Sequence, residues 1–229
     1  MKSIKPELIS GLCVLLLAVA GVYAATPSDK TQDTAAGGAT AKSAPRDSTS
    51  THLPLEVRPH ERIALIGGSL AERMNLFGNF EAMLHMRFPQ DELVVRNFGW
   101  PCDAVDNRQR PNSYTALDDP LKVFAADTFL CFFGFNESFA SVAGEEQFRT
   151  AYGKFLDEMV QQYPRRDGKP PRFVLISPIA WEPTDNALWP EASKRNSDLR
   201  RYAAMVAEVA RERGLAYVDL FTPTELLFS

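Results

Sequence analysis

From about residue 60 to the end, apolar residues recur in two alternating rhythms. Short runs rich in Ile, Leu, Val and Phe occupy 62–70 (R-I-A-L-I-G-G-S-L), 93–103 (L-V-V-R-N-F-G-W-P-C-D), 128–138 (T-F-L-C-F-F-G-F-N-E-S), 172–177 (R-F-V-L-I-S) and 215–220 (L-A-Y-V-D-L). Runs of this length, bounded by Gly, Pro or Asn, predict strands, the first and third of them buried. Between them the apolar residues fall at helical spacing. Met74, Phe77, Phe80, Leu84 and Phe88 mark a helix over 70–88, and Phe148, Tyr152, Phe155, Met159 and Tyr163 mark a second. Leu199, Tyr202, Ala203, Val206 and Ala210 mark a third over 192–213. Pro164 with the R-R-D-G-K-P-P stretch stops the second, and Gly214 stops the third. Alternating strands and helices predict an α/β domain, a parallel sheet with helices on both faces.

The first 54 residues follow neither rhythm. Lys2 and Lys5 precede an apolar stretch over about 9–22, and Val22-Tyr23-Ala24 offers a cleavage site before Ala25. This predicts a signal peptide over 1–24 and an exported protein, periplasmic or extracellular. The apolar run is short for a membrane span, so membrane contact is expected only in transit; an uncleaved segment would instead tether the protein. Leu12 stands before Cys13 where a lipoprotein needs a small residue. Residues 25–54 are rich in Ala, Thr, Ser, Asp, Lys and Gly, a composition that cannot bury enough surface to fold, and predict a flexible tether. The folded domain is expected over 55–229, long enough for one substantial core. A net charge of -4 with mixed signs leaves no basic footprint for nucleic acid. Arg108/Arg110 and Arg165/Arg166 are read as solvated loop charges. No metal-ligand spacing and no dinucleotide fingerprint is present, so neither metal nor cofactor is expected.

Three of the strands run out into Ser69, Gly99 and Asn136, and such ends gather at the edge of a parallel sheet where ligands bind. Ser69 follows two glycines at a strand–turn–helix junction, where a hydroxyl can attack a carbonyl beside unpaired helix N–H groups. Its other reading is an N-cap serine with Glu72 completing a capping box. The Gly99 N–H can approach a ligand closely, and the Asn136 amide can donate to a developing negative charge; each can also be an ordinary turn residue. Glu137 is expected to order its loop or cap a helix, and Asp103 to shape the pocket. Trp100, Trp181 and Trp189 fall in loops at the same edge, where a ring can stack on a sugar, line an acyl pocket or simply pack. A Gly-Gly-Ser turn also occurs in phosphate sites of flavodoxin-like proteins, although export and the missing cofactor motif argue against that.

The blocks Gly67-Gly68-Ser69-Leu70 and Gly134-Phe135-Asn136-Glu137, with Gly99 between them, resemble those of the SGNH (GDSL-type) hydrolases, a family of esterases and lipases. The likeness runs from about His60 to the last residue, with glycine at 68 where the family carries aspartate. It implies a flavodoxin-like three-layer sandwich around a parallel sheet in 2-1-3-4-5 order. It also implies Ser69 as nucleophile and an oxyanion hole from the Ser69 N–H, the Gly99 N–H and the Asn136 side chain. In that order the strands near Cys102 and Cys131 are not neighbours, so free thiols are expected. The family's base lies in a D-x-x-H or G-x-H block after the fifth strand, whereas here F-T-P-T-E-L-L-F-S follows and no histidine does. Asp219 therefore reads as a strand-end aspartate binding loop N–H groups. Of the three histidines, His52 lies in the tether, His60 at the far end of the first strand, and His85 about four helical turns beyond Ser69. The implied protein is an exported serine esterase acting on an acyl ester, with a carbohydrate as the alcohol, whose domain is incomplete at the C-terminus and whose base is missing from this chain. The alternative is a non-catalytic module of the same fold that binds a glycan or a partner.

Overall fold

The computed structural model describes residues 50–108 and 119–229; the expected signal peptide, nearly all of the tether and Arg110 lie outside them. Strands β1 (Arg62–Gly67), β2 (Val94–Asn97), β3 (Thr128–Phe132), β4 (Arg172–Ile176) and β5 (Ala216–Val218) form one sheet in the order β2-β1-β3-β4-β5, parallel throughout. β3 and β4 are buried at every position, which is why they read as unbroken apolar runs. Alternate residues feed opposite layers. Ala64, Ile66, Phe129, Cys131, Phe173 and Leu175 pack on α4 (Glu145–Gln162) and α5 (Ala192–Glu212) through Phe155, Met159, Tyr202 and Val206. Ile63, Leu65, Leu130, Val174 and Ile176 face the other way, against Phe80 and Leu84 of α2 (Asn79–Arg87). The three-layer α/β sandwich expected from the sequence is the observed architecture. Two short helices, α3 (Pro120–Phe124) and α6 (Phe221–Phe228), complete it.

The helix expected over 70–88 is broken. It divides into α1 (Ser69–Arg73), a 3-10 turn (Met74–Leu76) and α2, with Gly78 at φ +61 between them. A left-handed residue cannot continue a helix, and glycine takes that conformation without steric penalty. The apolar stripe splits accordingly: Phe80 and Leu84 are buried, whereas Phe77 is exposed. Contacts with the domain also begin earlier than Leu55, within the stretch whose composition reads as tether. Thr51 is buried, donates to the Phe173 carbonyl at 2.5 Å and accepts from the Ala216 N–H at 2.9 Å. Cys102 and Cys131 are both free thiols, and burial pushes the Cys131 thiol far up.

Beneath the N-terminal ends of the strands lies a buried polar cluster. Glu61, 2% exposed, accepts from Thr128 Oγ1 at 2.5 Å, from the Arg58 N–H at 2.8 Å and from Arg172 Nη2. Arg172 spends its other donors on Thr128 Oγ1 at 3.1 Å and the Glu56 carbonyl at 2.9 Å. Every charge there has a partner, as burial requires.

Candidate active site

The opposite edge of the sheet carries the candidate chemistry. Gly67 ends β1 with φ +132, and a Cβ there would lie 2.2 Å from the Phe132 carbonyl oxygen, so only glycine lets β1 and β3 close at this level. Gly68 has φ −78 and ψ −154, ordinary extended backbone, and donates to the Phe132 carbonyl at 3.2 Å. It is also the N-cap of α1. Ser69 is therefore the first helical residue, and it is exposed. The N-cap reading of Ser69 is thus replaced, and its hydroxyl stands at a helix start whose first N–H groups have no partner within the helix.

Ser69 and Asn136 meet in a small cleft, with Asp103, Phe135 and Ile179 among its walls. The Asn136 amide donates to the Asp103 carbonyl at 2.8 Å, and its nitrogen is 3.1 Å from where a Cβ on Gly68 would sit. The amide thus stands over the turn that delivers Ser69. Gly99 lies behind this turn, packed so tightly on α1 that a Cβ would meet the Ala71 methyl and the Glu72 N–H nitrogen at 2.7 Å. Its own N–H donates to Asn97 Oδ1 at 2.8 Å, while Asn97 Nδ2 donates to the Ala71 carbonyl at 2.5 Å. Two of the three predicted residues share the cleft, and the third is held at its back by Asn97.

Glu137 is a strut. Its two carboxylate oxygens accept from the Val105 N–H and the Gly134 N–H, both at 2.9 Å, tying the loop after β2 to the loop after β3. The residue is half-buried but the carboxylate itself is enclosed, and this burial raises its pKa from 4.5 against the opposing pull of the backbone N–H groups. A raised folded pKa means that the folded state holds the proton more tightly than the unfolded chain. The associated stability is full below pH 4.5 and is lost as pH rises through the folded value. The stability penalty of Glu137→Gln, read from urea midpoints, is therefore expected to be larger at acidic pH than at pH 7. A penalty that grows toward pH 7 would contradict this.

A second anchor comes from α5. Arg195, 6% exposed, donates to Ser138 Oγ at 2.6 Å and to the Ser138 carbonyl at 3.2 Å, pinning the segment that follows Asn136. A charged residue four positions before Leu199, on the buried stripe of α5, was the sequence signal for it. Asp219 accepts from the Thr222 N–H at 3.1 Å, as expected of a strand-end aspartate. The histidines lie elsewhere. His60 pairs with Glu92 at 3.1 Å beyond the N-terminal end of β1, roughly 20 Å along the strand from Ser69. His85 pairs with Glu81 on α2.

Solved structures that share this architecture include esterases and hydrolases. The chain is similar to Axe2, an acetylxylan esterase from Geobacillus stearothermophilus, with a TM-score of 0.53 and 13% identity over 76% of this chain and 82% of that one. Three of the similar Axe2 structures are catalytic mutants, in which alanine replaces an aspartate, a histidine or a serine. It is also similar to LAE5, an alpha/beta hydrolase from the metagenome of Lake Arreo, Spain (TM-score 0.51, 16% identity, 75% of this chain and 82% of that one). BT4096, a gut microbial diltiazem-metabolizing enzyme, gives a TM-score of 0.52 and 19% identity over 77% of this chain but 39% of its own. No protein-family model matches the chain, and no curated protein matches it in sequence. At these identities the likeness establishes the fold, which is the one the SGNH resemblance implies.

Proposed function

We propose that this protein is an exported SGNH-type serine hydrolase that removes an acyl group from a carbohydrate ester. The observation that carries the reading is the convergence of Ser69 and the Asn136 amide, from two different strand ends, on one cleft at the start of α1. Ser69 Oγ would attack the ester carbonyl, and the oxyanion would accept from the Ser69 N–H and from the Asn136 amide hydrogen not given to Asp103. Expulsion of the alcohol leaves an acyl-serine, which water hydrolyses. A general base must take the Oγ proton and return it to the leaving alcohol, and none of His52, His60 and His85 lines the cleft.

A binding module of the same fold is the second reading. It is favoured by one observation: the Gly99 N–H and one Asn136 amide hydrogen already have partners, Asn97 and Asp103. The deciding experiment uses the protein expressed from its complete gene. A fluorophosphonate probe should label Ser69, p-nitrophenyl acetate should be turned over, and Ser69→Ala should abolish both. Absence of labelling in a folded protein would sink the hydrolase reading and leave the binding module.

A further inference from the structure

The N-terminal end of the sheet, away from Ser69, holds a cavity lined by three arginines, Arg58, Arg165 and Arg166, together with Glu61, Asp127 and Asp167. Arg58 precedes β1, and the other two arginines lie in the loop between α4 and β4. The expectation that Arg165 and Arg166 are solvated loop charges fails for Arg165, whose side chain is 8% exposed. Its loop is closed by the Arg165 N–H donating to the Lys169 carbonyl and the Gly168 N–H donating to the Arg165 carbonyl, both at 2.9 Å.

The carboxylates at this cavity are already engaged. Glu61 accepts from Thr128, the Arg58 N–H and Arg172. Asp127 accepts from the Arg62 N–H at 2.9 Å and from Arg166 Nη2 at 3.4 Å. Asp167 accepts from the Lys169 N–H at 3.1 Å and from Arg165 Nη2 at 3.2 Å, with Lys169 Nζ at 3.4 Å. The guanidinium groups are engaged far less. Among the described residues, the Arg58 side chain has no hydrogen-bond or ion-pair partner. Only one of the five N–H donors of Arg165 has a partner, and its enclosed Nε has none. Counting Lys169 and Arg172 with their carboxylates, five cations meet three anions, a surplus of two positive charges. Glu92 does not line the cavity and pairs with His60.

We propose that this cavity binds a phosphate dianion, either free or as the terminal phosphate of a lipid headgroup. The site does not rest on the hydrolase reading, since it lies at the other end of β1 from Ser69. A buried donor with no acceptor in the protein calls for one from outside it, a water or an ion. A water would satisfy Nε and leave the charge surplus standing, and a monocarboxylate would offset half of it. A dianion answers both, and guanidinium forks match the oxygens of a phosphate.

The test is calorimetric titration with inorganic phosphate at constant ionic strength and about pH 8, where the ligand is a dianion. Arg58→Gln and Arg165→Gln should each weaken binding by about tenfold. Arg200→Gln, which removes a surface ion pair with Glu225, should not. Arg58 is exposed and its side chain is unpartnered, so Arg58→Gln should keep the wild-type urea midpoint and decides the matter even if Arg165→Gln does not fold. Sedimentation with phosphatidylcholine vesicles, with and without phosphatidic acid, separates the two sources. Arg58-dependent binding of free phosphate assigns a soluble ligand, and Arg58-dependent binding to phosphatidic acid vesicles alone assigns a headgroup; either supports the site. Saturable binding of neither by the folded wild-type protein, or binding that the Arg58 variant leaves unchanged, would overturn it. Acetate bound as tightly as phosphate would overturn the assignment to a dianion.

Discussion

Asn136→Ala is expected to lower kcat on p-nitrophenyl acetate by about 10²–10³, equivalent to about 2.7–4 kcal/mol of transition-state stabilisation. The amide has two hydrogens. One holds the Asp103 carbonyl at 2.8 Å, and the nitrogen is placed over Gly68, next to the serine. A donor aimed at charge that develops during reaction contributes little to ground-state binding, so KM should move much less than kcat. The variant also removes one donor from the Asp103 carbonyl, with a stability loss of about 1 kcal/mol. That loss is measurable separately by urea unfolding, which keeps the kinetic effect distinct from the structural one. An unaltered kcat would reduce Asn136 to a tie between two loops.

Arg172→Leu should be the most destabilising of the substitutions considered, at about 3–5 kcal/mol, because it strands the Glu61 carboxylate under the sheet. The Glu61 side chain is 1% exposed and that of Arg172 is 8%, so water cannot replace the lost donors without opening the structure. A domain of this kind has only about 5–15 kcal/mol to lose. Replacing both partners, Glu61→Leu with Arg172→Leu, should recover a large part of the loss, since the penalty comes from the orphaned charge. Urea midpoints of the single and double variants decide the matter. A single variant as stable as the wild type would show that the carboxylate finds other support.

Much of this was legible in the chain. β1, β3 and β4 are buried on both faces, so their sequences are continuous apolar runs that cannot be mistaken for solvent-facing strands. The long stripes of α4 and α5 gave those helices to within a few residues for the same reason. The helix after Ser69 failed because apolar spacing continues unbroken through Gly78, while the backbone does not. α3 was signalled by Asp119-Pro120, and the Asp119 side chain does accept from the Leu121 N–H, but five residues are too few to show a period. Ser69 and Asn136 could be found because strand ends in a parallel sheet must gather. That the Gly99 N–H would be taken by Asn97 could not be read, since it depends on one side-chain rotamer.

The two glycines before Ser69 answer to different masters. Position 67 is closed to every side chain by the neighbouring strand. Position 68 uses backbone torsions open to any residue, and an added Cβ would ask the Asn136 amide and the Asp103 carbonyl to yield only a few tenths of an ångström. Descent could therefore exchange a side chain for hydrogen at 68 without disturbing the chain trace, leaving the fold no record of the change. A side chain at that position would alter the lining of the cleft alone, so the first glycine is held by architecture and the second is not.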